Sequence, residues 1–218
     1  MGAIRSTLGF SIDLAKKKPE KIGEFMSEIK KVPEAANLLS RFPDLETVLV
    51  KILPEIAKNV DKQTFLSAFD SFASEIKTPA LSLLNGKELG DKERGEVAVK
   101  IAHESARLVG SVLTKETVKS GVEGISSLSA VRNNPIASKL ADLVKRPELS
   151  DDDRFALVKK ANEGIVVFTK NPPNEAELEK YANSAAELVS SLSNKLPKAL
   201  VTDVMASMFR PEDGGNGK

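Results

Sequence analysis

Four prolines, each followed at once by an acid, fall within residues 19–55: Pro19-Glu20, Pro33-Glu34, Pro43-Asp44 and Pro54-Glu55. This spacing constrains the fold more than any other feature. Proline at the first helical position gives up an N–H that the helix could not have paired. The acid behind it meets the positive end of the helix dipole. Proline also disfavours helix in the residue before it, so each one closes a helix as the next opens. The N-terminal part therefore reads as short helices joined by tight turns, with unequal spacings that give no fixed repeat.

Helix signals continue to the other end. Residues 3–17 put Ile4, Leu8, Ile12 and Ala15 on one stripe. Asp61 reads as the cap of a longer helix with Phe65, Phe69, Phe72, Ala73 and Ile76 as its core stripe. Thr78-Pro79 reads as another helix start, closed at Asn85-Gly86. A pattern over about 91–113 is the longest. Its Gly95, Ala98, Ala102, Ser105 and Val109 recur three or four apart and read as an inward face, which predicts a central helix. Thr114 starts the next helix, and Asn133-Asn134-Pro135 combines a turn with a helix start. Ser150 with Asp153 resembles a capping box, and Asn174 caps the helix after Pro172-Pro173. The one strand-like run, Ile165-Val166-Val167-Phe168, is flanked by Phe155, Val158 and Ala161 at helical spacing and reads as helix.

The expected fold is all-α: an irregular multi-helix bundle of about ten to twelve mostly short helices. Polar residues 87–92 mark the best internal boundary. They divide an N-terminal helical subdomain (1–86) from a C-terminal one (91–209), with a disordered, Gly-rich tail over 210–218.

Composition narrows the functions. The chain has no cysteine and no tryptophan, one tyrosine and one histidine, with 41% hydrophobic and 29% charged residues over 218 positions. Thiolate metal sites, disulfides and cysteine nucleophiles are excluded, and His-pair zinc motifs cannot occur. No P-loop, G-x-G-x-x-G or G-x-S-x-G signature is present. No cofactor, metal or catalytic residue is assigned from the sequence. Asp151, Asp152 and Asp153 could bind a hard cation, but as first-turn acids pointing three ways they read as dipole and solvent residues. His103 reads as a structural residue. The scarcity of Gln with abundant Lys and Glu resembles a thermophile composition.

A net charge of +1 gives no global field toward nucleic acid or an anionic membrane. Lys139, Lys145, Arg146, Lys159 and Lys160 form a candidate nucleic-acid contact set, interleaved with acids that weaken it. Met1-Gly2 with Ser6 matches a myristoylation pattern, but Lys16-Lys17-Lys18 reads foremost as a helix C-terminal cap, so peripheral membrane contact is disfavoured. No apolar run approaches the ~20 residues that span a bilayer. The terminal stripe Leu200, Val201, Val204, Met205, Met208 and Phe209 is a candidate partner helix.

The leading expectation is a non-enzymatic interaction or assembly protein, a structural or scaffold component that binds a protein partner or itself. Its expected setting is the cytoplasm or another soluble intracellular space, or a virion. A nucleic-acid-binding helical module, and an enzyme confined to Asp, Glu, Lys or Ser chemistry, are the alternatives.

Overall fold

A computed structural model describes residues 2–41, 43–84, 89–133, 135–170, 172, 174–200 and 202–203. All regular structure among them is helical: α1 (Gly2–Lys17), α2 (Lys21–Ile29), α3 (Pro33–Arg41), α4 (Pro43–Thr47), a π-helical turn (Val48–Ile52), α5 (Leu53–Asn59), α6 (Lys62–Leu84), α7 (Asp91–Val112), α8 (Lys115–Ser126), α9 (Ser129–Arg132), α10 (Pro135–Val144), α11 (Asp151–Phe168) and α12 (Glu175–Leu192). The all-α expectation holds, and the Ile165–Phe168 run lies inside α11.

The predicted caps form. Asp61 Oδ2 accepts from the Thr64 N–H at 2.9 Å, and Thr114 Oγ1 accepts from the Thr117 N–H at 3.1 Å. Ser150 and Asp153 complete a reciprocal box, the Ser150 N–H donating to Asp153 Oδ2 at 2.9 Å and the Asp153 N–H to Ser150 Oγ at 3.2 Å. Asn174 Oδ1 accepts from the Ala176 N–H at 3.1 Å.

One proline, Pro79, departs from the expected pattern. Pro54 stands in the first turn of α5 with Glu55 behind it, as expected, but no break precedes it: the helical run passes from α4 through the π turn into α5. The Leu53 N–H reaches back five residues to the Val48 carbonyl. That wider turn lets the chain continue past a ring that has no N–H and crowds the carbonyl four residues earlier. Pro79 is inside α6 and buried. α6 and α7 share the most extensive helix–helix contact in the fold, and this packing holds α6 through the proline.

Two clusters of buried side chains organise the helices. The first gathers Ile12, Ala15, Ile22, Met26, Leu53 and Leu66 with their neighbours from α1, α2, α3, α5 and α6. The second gathers Leu143, Val144, Leu157, Tyr181, Ala185 and Leu192 with their neighbours from α10, α11 and α12. Leu8, Ile12 and Ala15 of the expected α1 stripe join the first cluster; of the expected α6 stripe Phe65 packs against it, while Phe69, Phe72, Ala73 and Ile76 are half-buried outside it and Leu66 is the sealed position. α7 packs on both α6 and α11, and α8 packs on the π turn, α5 and α11. At the α8 contact a Cβ on Gly124 would lie 3.1 Å from Ile52 Cγ1, so glycine there lets the helices approach closely.

The inward face expected for α7 is corrected. Gly95, Ala98, Ala102 and Val109 are exposed, and Ser105 is half-buried. The packed side of α7 carries Val97, Ile101, Glu104, Leu108 and Val112 instead, an i, i+4, i+7, i+11, i+15 series. Larger apolar groups on that arc bury more area than the small ones.

Candidate functional site

The acid triplet at the start of α11 is a structural staple. Asp151 accepts from Lys119 Nζ at 2.7 Å and from Arg154 Nη1 at 3.0 Å. Asp152 pairs with Lys115. Asp153 accepts from Lys195 Nζ at 2.7 Å while it closes the capping box. The three carboxylates thus reach three separate lysines, two on α8 and one beyond α12, with Arg154 of α11 as a second partner of Asp151. The Lys119 hydrogen bond, against burial, holds Asp151 below the usual carboxylate range. Burial pushes the Asp153 carboxyl up, but the bonds from Lys195 and Ser150 outweigh it and the net direction is down. Asp152 raises the Lys115 ammonium through their shared hydrogen bond. Among the described residues no group of three or more His, Cys, Asp or Glu is arranged to hold a metal ion.

The basic set is spread over several environments. Lys139 pairs with Asp203 at 3.0 Å. Lys160 is largely covered, bonded to Glu163 at 2.7 Å and to Ser184 Oγ at 3.0 Å. Lys159 is exposed, with its ammonium 6.0 Å from the Phe155 ring centre. Lys145 and Arg146 are exposed at the end of α10. Lys145 shares a cleft of about 160 Å³ with Lys119, Glu123, Asp151 and Arg154. That is well under the roughly 300 Å³ of small-molecule pockets.

Tyr181 is the centre of the second cluster. Its hydroxyl donates to the Lys160 carbonyl at 3.1 Å. The Lys160 ammonium lies 5.7 Å from its ring centre, and Phe168 meets the ring edge-on at 5.6 Å. Lys160, Gly164 and Phe168 are one stripe of α11 and form the slot that the tyrosine fills. Burial, with a smaller contribution from the Glu163 charge, pushes the phenol up to about 12.

His103 joins α7 to the end of α11, its Nδ1 2.9 Å from Thr169 Oγ1. The Thr169 hydroxyl donates to the Ile165 carbonyl at 2.5 Å. The same oxygen then accepts from Nδ1–H, which assigns the tautomer from the network. One seam contact further along, Asn162 Nδ2 donates to the Ala106 carbonyl at 3.0 Å. These contacts set α7 and α11 antiparallel.

In two antiparallel helices of the same hand, the residues just before the seam positions fall on the same side of both. Here that side carries Ala102 and Val109 on α7, and Phe168 with Ile165 one turn earlier on α11. Val99, Val109, Ile165 and Phe168 are 43%, 44%, 46% and 47% exposed. They define an apolar face that the sequence reading missed. Its signal was the uncharged 95–109 series, read there as facing inward.

Of the candidate partner helix, Leu200 is half-buried against the second core cluster. Val201, Val204, Met205, Met208 and Phe209 lie outside the described residues, as does the tail. At the other end, Gly2 begins α1 and Lys16 and Lys17 close it. At 1.5 Å per residue they are about 21 Å apart, so an acyl group and the lysines would sit at opposite ends of one helix. No helix among the described residues is long and apolar enough to cross a membrane.

No protein-family model, curated protein or solved structure matches this chain.

Proposed function

We propose that this chain is a non-enzymatic helical interaction or assembly protein, a structural or scaffold component that works through the apolar face shared by α7 and α11. One observation carries the reading. Val99, Val109, Ile165 and Phe168 are each more than two-fifths exposed on adjoining helices, beside exposed Ala98 and Ala102. Scattered apolar side chains are ordinary on a surface, whereas a contiguous group marks an interaction site. The terminal stripe from Leu200 to Phe209 adds a second element in sequence, an amphipathic segment of the kind that docks into a partner's groove. A larger assembly inside a cell or a virion is the setting this reading suits.

The test is charge insertion into the face. Full-length protein carrying Val109→Glu and Ile165→Glu is compared with the unaltered chain by sizing and quantitative cross-linking in extract of the source. The expected result is loss of the associations that the unaltered chain forms, with an unchanged far-ultraviolet circular dichroism spectrum. A folded variant that keeps every association overturns the reading.

A further inference from the structure

The outer side of the α1–α2 hairpin carries the most exposed large apolar side chain among the described residues. Phe10 is 57% exposed. Helical spacing puts Ser6, Phe10, Asp13 and Lys17 on one stripe of α1, at i, i+4, i+7 and i+11. Lys21, Phe25, Glu28 and Val32 repeat that spacing along α2 and the turn after it. The Val32 N–H bonds to the Ile29 carbonyl at 3.0 Å, which carries the winding one turn past α2. The rings of Phe10 and Phe25 meet edge-on with centres 6.1 Å apart, so the two stripes adjoin. Val32, 49% exposed, extends the apolar patch along α2.

The charge beside this patch is one-sided. Each acid on the two stripes already holds a lysine: Asp13 pairs with Lys62 and Glu28 with Lys31. Lys21 is taken by Glu24. Lys16, Lys17 and Lys18 are exposed where α1 ends and have no ion-pair partner among the described residues. Glu20, exposed in the turn between the helices, offsets one of them. Lys17 stands about 10 Å from Phe10 at 1.5 Å per residue, and the hairpin brings the start of α2 to that same end. Read from sequence alone, these lysines are a helix cap; the structure sets the aromatic pair beside them.

A partner that takes an aromatic ring and uncommitted ammonium groups together has an apolar interior under an anionic surface. A bilayer with anionic lipids has that chemistry, with phenylalanine sinking below the headgroups and lysines staying among the phosphates. A nucleic acid answers the lysines, and its bases stack on rings, but it gains nothing from Val32. We infer that the outer side of the α1–α2 hairpin, with Phe10 at its centre and Lys16, Lys17 and Lys18 at its end, docks on the surface of an anionic membrane. Each uncommitted lysine adds about fivefold in affinity for such a surface, and Glu20 takes one such factor back. Sheltering the exposed half of a phenylalanine adds a factor of the same order. The product is a weak, reversible contact that needs millimolar lipid. It is separate from the α7–α11 face and does not rest on that reading.

The test is cosedimentation of the full chain, at low ionic strength, with vesicles of phosphatidylserine and phosphatidylcholine in equal parts and with vesicles of phosphatidylcholine alone. Binding is expected to the first kind only, and to fall as salt is added. Phe10→Ser and Lys17→Ala should each weaken it about fivefold. Lys159→Ala removes the same charge from an exposed position on α11 and should change nothing. Circular dichroism checks that each variant keeps its helix content, and Val32→Ser supplies a second apolar readout if Phe10→Ser does not. No binding at millimolar lipid, equal binding to both kinds of vesicle, or binding that Phe10→Ser and Val32→Ser leave unchanged overturns the inference. Tighter capture of single-stranded oligothymidine, lost in Phe10→Ser, also overturns it and assigns the patch to nucleic acid.

Discussion

A Cβ on Gly164 would stand 2.5 Å from the Tyr181 hydroxyl oxygen and 2.9 Å from the ring carbon that bears it. Both distances are shorter than real side chains tolerate, and Tyr181 is held on every side by Lys160, Phe168 and the second core cluster. Glycine is required at 164 because tyrosine occupies the space.

Gly164→Ala is therefore expected to destabilise the fold by about 1–3 kcal/mol, the usual cost of overpacking a core. Adding Tyr181→Phe removes the closer contact but leaves the ring, so the double variant should lose less than the two single losses combined. Thermal melts of the four proteins check this. A Gly164→Ala protein as stable as the parent would mean that the slot is loose.

Tyr181 is the single tyrosine in a chain without tryptophan, so phenolate absorbance reports it alone. The folded protein should titrate near the raised value of about 12, and the chain in denaturant near the ordinary value of about 10. Because the folded state holds this proton more tightly, the group's contribution to stability is complete below about pH 10 and is lost as pH rises toward 12. A folded-state titration indistinguishable from that of the denatured chain would show the hydroxyl to be solvated.

The acid limb runs the other way. Asp151 and Asp153 are held below the usual carboxylate range, so their contribution is full above about pH 4 and is lost as pH falls through their lowered values. Urea midpoints at pH 7 and pH 3 should differ, and Asp153→Asn should shrink that difference. If the Asn variant loses as much on acidification as the parent, other carboxylates carry the effect.

Asp61 caps α6 through the Thr64 N–H. Asp61→Ala should lower the denaturation midpoint, and Asp61→Asn should lower it only by a fraction as much, since Asn caps nearly as well. Equal losses for the two substitutions in chemical denaturation would assign the effect to charge rather than capping.

How much of this was legible in the sequence depends on how far each signal reaches. The caps at Asp61, Thr114, Ser150 and Asn174 bond to residues two or three positions on, and they read correctly because nothing distant intervenes. Pro79 misreads as a helix start because packing by α7 holds a helix that local preference alone would break. The 95–109 series on α7 has the right period, but periodicity does not say which arc faces the core. Glu104 sits among the packed residues and Val109 among the exposed ones, a reversal that only the positions of α6 and α11 explain. The triplet's three-way geometry was legible from its place in a first helical turn. Its partners Lys119 and Lys195 were not, since they lie 32 and 42 residues away.

That triplet has a consequence for how such a sequence can change over time. Asp151, Asp152 and Asp153 look like one acidic motif, yet each answers mainly to its own lysine: Lys119, Lys115 and Lys195. Loss of one pair leaves the other two intact, so each can drift, reverse its sign or vanish together with its partner. Descendants of this chain should therefore preserve three independently covarying couples, 151 with 119, 152 with 115 and 153 with 195, and no invariant run of aspartates.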